Sequence, residues 1–129
     1  MKSIAVGALV GAIAASVTGP TAAASLTTEV DGVRIEVSSV PEAPVKDRKT
    51  AYAVRLVDST GTPVTDARVT LTGRMADGMS VAAPLRADGT PGVYRGEVLF
   101  TMEGPWELAV RVVRQGRRLE VPLKEEVGR

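Results

Sequence analysis

From Val33 to Lys124, apolar and polar residues alternate in seven short runs, with turn-forming residues between them. A period of two places one set of side chains on each face of an extended strand, so each run predicts a strand with one dry face. The runs are Val33–Ser38, Ala51–Leu56, Arg68–Thr72, Val81–Leu85, Tyr94–Phe100, Trp106–Val112 and Arg118–Lys124. The spacers carry the residues that turns require: Asp58-Ser-Thr-Gly-Thr-Pro63, Ala76-Asp-Gly78, Ala87-Asp-Gly-Thr-Pro-Gly92, Glu103-Gly-Pro105 and Gln115-Gly116. Residues 39–49, with two prolines and five charges, read as a loop. No stretch sustains a 3.6-residue apolar period, so helix is not expected. Short strands at this spacing predict an all-β fold: one immunoglobulin-like antiparallel β-sandwich of about seven strands over residues 26–124.

Residues 1–24 read differently. Lys2 is the sole charge before Glu29, and Ile4 to Val17 is a run of small and aliphatic residues. Gly19-Pro20 ends it, and Ala22-Ala23-Ala24 supplies a small-residue cleavage site. This is the pattern of a secretory signal peptide, with cleavage expected after Ala24. The apolar run is short of the roughly 20 residues that span a bilayer as a helix, so no transmembrane span is expected after cleavage. The expected location is exported, periplasmic or extracellular, and the expected domain is 25–129.

Charge and composition then exclude several functions. All 15 acidic residues and 15 of the 16 basic ones lie after residue 24, which leaves the domain formally neutral. Nucleic-acid binding relies on an excess of Lys and Arg on one face, so no such partner is expected. Arg111, Arg114, Arg117 and Arg118 surround the Gln115-Gly116 turn and read as solvated hairpin surface. There is no Cys, so no disulfide holds the fold, and no His. Ser-His-Asp catalysis, Cys-His catalysis and the usual zinc sites are therefore impossible. Asp58, Thr60 and Asp66 lack the spacing of a calcium loop, and Asp in turns ordinarily bonds its own backbone.

Methionine is what remains for ligand chemistry. Met75 and Met79 bracket the Asp77-Gly78 turn, and Met102 precedes another turn. Thioethers are soft neutral donors that suit Cu(I), so Met75, Met79 and Met102 are the candidate metal residues. Against this stands the habit of Met as flexible core filler. Trp106 follows the Gly104-Pro105 turn on an apolar face and is expected in the core, packed on Tyr94 and Phe100. Gly96 shares that face.

In order, Gly61-Thr-Pro63-Val64-Thr-Asp-Ala67-Arg-Val69, Met75 and Met79, Gly92-Val-Tyr94 and Gly104-Pro-Trp106-Glu-Leu108-Ala-Val110 resemble the YtkA-like family of small exported bacterial domains. The resemblance runs over about residues 50–123. It implies a non-enzymatic accessory or binding role in copper handling or respiratory-oxidase assembly, with Cu(I) as the possible ligand. The related FixH proteins of oxidase assembly have a longer N-terminal membrane helix that this chain lacks. The residues themselves leave a second class open, a structural or protein-interaction domain that docks on another envelope or membrane protein through a sheet edge or loop surface.

Overall fold

The computed structural model describes residues 24–129; the expected signal segment lies outside this range apart from Ala24. Eight strands follow one another: β1 (Ala24–Val30), β2 (Val33–Val40), β3 (Lys49–Val57), β4 (Arg68–Arg74), β5 (Ser80–Ala87), β6 (Val93–Leu99), β7 (Gly104–Arg114) and β8 (Arg117–Val127). Among the described residues there is no helix, and so none that could cross a membrane as a helix.

All ladders are antiparallel, in the order β1-β2-β3-β6-β5-β4-β7-β8. Two layers result. One is β1-β2-β3-β6, and the other is β4, β7 and β8 with most of β5. Strand β5 belongs to both: Ser80–Leu85 pair with β4, and then Arg86 and Ala87 pair with β6. Gly96 makes the transfer possible. A Cβ there would lie 2.5 Å from Leu85 Cδ2 and 2.7 Å from the Pro84 carbonyl, so only glycine lets the strands approach so closely. Pro84 falls where β5 has left β6, a position that does not need its missing N–H.

The alternation read from the sequence is the burial pattern. Val33, Ile35 and Val37 of β2, Val54 and Leu56 of β3, and Leu108, Val110 and Val112 of β7 are buried between the layers. Each such side chain contributes roughly 1.5–3 kcal/mol by leaving water. Trp106 is 1% exposed and meets Phe100 edge to face, with ring centroids 5.2 Å apart. Tyr94 is buried as well but does not join that pair. It lies six residues from Phe100, about 20 Å along an extended chain, where its hydroxyl binds the loop after β3. The expected packing of Trp106 on Phe100 is present, and that on Tyr94 is corrected.

The eighth strand is β1. Asp31 and Gly32 have φ of 51° and 79°, the two left-handed residues of a tight hairpin turn that joins β1 to β2. Gln115 and Gly116, at 50° and 75°, make the same turn between β7 and β8, as their sequence predicts. The expected loop over residues 39–49 is shorter, since β2 runs to Val40 and β3 begins at Lys49.

Candidate functional site

Two regions bring potential ligand chemistry together. The first is the methionine end. Met75 and Met79 close the β4–β5 hairpin: the Met75 N–H donates to the Met79 carbonyl at 2.8 Å, and the Gly78 N–H donates to the Met75 carbonyl at 3.1 Å. Asp77 braces the turn by accepting the Met79 N–H at 3.0 Å, and Gly78 takes the left-handed φ of 99° that the turn requires. Met75 is half-buried against the core, and its Cε lies 3.0 Å from where a Cβ on Gly104 would stand. The hairpin tip therefore reaches the start of β7. Met102 lies two residues before Gly104, and its carbonyl accepts the Trp106 indole N–H at 3.0 Å.

Met79 and Met102 are each 39% exposed, so two thioethers face solvent at the end where the third meets β7. The donor set fits Cu(I), a soft ion, and does not fit a hard cation. Among the described residues no three acidic groups cluster in a way that could hold a metal. Glu103, the carboxylate beside Met102, is engaged by Lys46 at 3.9 Å and Arg129 at 3.4 Å.

The second region is the seam opposite β5, where β1 and β8 are the free edges of the two layers. A pocket of about 270 Å³ opens there. Leu26, Val37 and Tyr52 line it from one layer, and Leu123 and Glu125 from the other. Leu26 occupies an inward position opposite Val37, yet remains 40% exposed because none of the described residues closes the seam over it. At the base of the pocket the Tyr52 hydroxyl donates to Glu125 Oε2 at 3.0 Å. Burial, followed by the nearby Glu125 charge, pushes the Tyr52 phenol far above its ordinary range. Burial also raises the Glu125 carboxyl, partly opposed by the hydrogen bond from Tyr52.

A wider concavity of about 830 Å³ lies on the outer face of β4, β7 and β8. It is less suited to a ligand: Thr72, Ala109 and Pro122 form a row of small side chains, and Arg111 donates to Glu120 at 3.0 and 3.1 Å. Of the other arginines of that hairpin, Arg117 and Arg118 behave as solvated surface, whereas Arg114 is half-buried with its Nε shut off from water. Arg114 approaches Asp66 at 3.4 Å, while Arg117 and Arg118 are exposed. Asp58 is occupied by its own turn, accepting from the Thr60 hydroxyl at 2.6 Å and from the N–H groups of Thr60 and Thr62.

The sequence motifs did not reveal Tyr52 and Glu125 as a pair. One signal was present: Leu119, Val121 and Leu123 alternate inward along β8, and the next inward position is Glu125. An acid that continues an apolar stripe marks a polar group turned toward the core.

The sequence profile of the YtkA-like family matches residues 27–111, two-thirds of the chain. The chain belongs to the YtkA-like family. The match starts earlier than the sequence motifs alone suggested, at the β1–β2 hairpin, and ends within β7. The crystal structure of the Lin-41 filamin domain is similar, with a TM-score of 0.54 and 18% identity, over 85% of this chain and 97% of that one. At that identity the likeness shows the immunoglobulin-like fold alone. No curated protein matches the chain. A YtkA-like domain of this architecture points to a binding or structural role.

Proposed function

We propose that this YtkA-like chain is an exported, non-catalytic accessory domain that handles copper, with Met75, Met79 and Met102 as its Cu(I) ligands. The observation that carries the reading is the exposure of Met79 and Met102 at the end where Met75 reaches Gly104. Exposed thioethers at two adjoining turns cost apolar burial and supply the donors a soft ion needs. In this reading the partner is an envelope or membrane protein that receives copper, such as a respiratory oxidase under assembly.

A titration of the protein with Cu(I) under reducing conditions, against a chromogenic chelator, tests it. The protein is expected to compete for the ion, and a Met75→Leu, Met79→Leu variant with an unchanged melting temperature is expected to lose that competition. Absence of competition by the parent protein overturns the reading.

A second reading rests on the free edges of β1 and β8, each with a row of backbone groups unpaired by a neighbouring strand among the described residues. Such edges accept an added strand from a partner. In that case the chain is an interaction domain with no metal role, and a pull-down from envelope extract would recover the partner regardless of copper.

A further inference from the structure

The seam pocket contains an acid that forms no ion pair among the described residues, although Lys124 lies on the pocket's rim. Glu125 is half-buried and hydrogen-bonded to Tyr52, and no Lys or Arg among the described residues comes within 4.0 Å of it. Lys124 and Glu126 flank it on the outer face of β8, where Lys124 stands opposite Glu107 of β7. From β3, Tyr52 is the ionisable group that touches it. The neighbouring inner positions of β1 and β2 hold Leu26, Val37 and Ser39, none of them charged. A desolvated carboxylate without a positive partner is costly, which is why burial raises its pKa.

Ser25 lines the same pocket as Glu125. Ala24 stands opposite Ser39, and Ser39 stands opposite Tyr52, whose hydroxyl reaches Glu125. The peptide bond between Ala24 and Ser25 therefore lies at the end of the row whose Tyr52 reaches across to the acid, and Ser25 and Glu125 line one pocket. That bond is also the one the signal-peptide pattern marks for cleavage.

We propose that removal of the leader after Ala24 completes this site: the new α-ammonium of Ser25 becomes the cationic partner of Glu125. Hydrolysis adds one water across the bond. Ala24 leaves with a carboxylate, and the Ser25 nitrogen remains as an amine that takes up a proton near neutral pH. A protease needs the bond extended and unpaired, so cleavage precedes the docking of β1 on β2. The mature chain then closes its open seam with an ion pair that the precursor cannot form, because in the precursor that nitrogen is a neutral amide. Leader removal thus sets the charge of the pocket as well as the length of the chain.

The test uses the full-length chain, exported from an expressing cell and recovered after processing. Intact mass is expected to give a protein that begins at Ser25, and any other start overturns the proposal. In the processed protein, the α-amino group is expected to titrate roughly one unit or more above its usual range of about 7.7–8.0, as an amine beside a carboxylate does. Nuclear magnetic resonance of the terminal nitrogen reads this directly. In Glu125→Gln, which keeps an acceptor for the Tyr52 hydroxyl, the value is expected to return to the usual range. An α-amino group that titrates normally in the parent protein, or one that stays raised in Glu125→Gln, overturns the pairing.

Discussion

The Tyr94 hydroxyl donates to the Val64 carbonyl at 2.9 Å, pinning the loop after β3 to the inner face of β6. The same oxygen accepts the Ala67 N–H at 3.3 Å, so one side chain satisfies two backbone groups just before β4 begins. Tyr94→Phe keeps the ring and removes both bonds. Leaving buried backbone groups without partners costs about 1–3 kcal/mol, so the unfolding free energy from urea denaturation should fall by that amount, through a lower midpoint with the slope unchanged.

Trp106 fills the core against Phe100, and its indole N–H is satisfied by the Met102 carbonyl. Trp106→Ala should destabilise the protein by about 3–5 kcal/mol in chemical denaturation. It should also loosen the turn that carries Met102. A melting temperature within a degree or two of the parent would show that Trp106 contributes little to the core.

Gly96 marks the point where β5 leaves one layer for the other. Gly96→Ala places a methyl group against Pro84 and Leu85, and the strands must separate to admit it. Overpacking of this kind costs about 1–3 kcal/mol. Faster amide hydrogen exchange should be seen at Arg86, Ala87, Tyr94 and Arg95, the short ladder between β5 and β6.

The Asp58 turn should set part of the acid sensitivity. The Thr60 hydroxyl and then the Thr62 and Thr60 N–H groups hold the Asp58 carboxyl below its ordinary pKa. A lowered folded-state pKa stabilises the fold above the unfolded value of about 3.9, and that contribution is lost as pH falls through the folded value. Melting temperature followed from pH 6 to pH 2 should therefore fall less steeply in Asp58→Asn than in the parent. An identical slope would show that the turn does not couple to folding.

The strands were legible because their burial repeats every second residue. Leu119, Val121 and Leu123 announce β8 with no knowledge of its neighbours. What the sequence hid depends on distance along the chain. Tyr52 and Glu125 are 73 residues apart and meet only because β3 and β8 face each other across the layers. Glu125 next to Glu126 reads as a charged chain end, whereas the register of β8 turns the first inward and the second outward. Strand β1 was hidden for a local reason: its inner face holds Leu26, Thr28 and Val30, a weakly apolar stripe adjoining the leader. The Asp31-Gly32 turn was the clue to it. The methionines were evident from composition, but only the fold places Met75 against Gly104.

Because β5 is bonded to both layers, the molecule resembles a folded sheet with a crease on one side and, on the other, two margins whose strands β1 and β8 are not paired with each other. A force or a partner that spreads the layers meets the β5 ladders at the crease, and at the margins side-chain contacts with one backbone bridge, from Val45 to Gly128, at the end of β8. Opening is therefore one-sided: the layers part first between Leu26 and Leu123, and whatever enters does so over Tyr52 and Glu125.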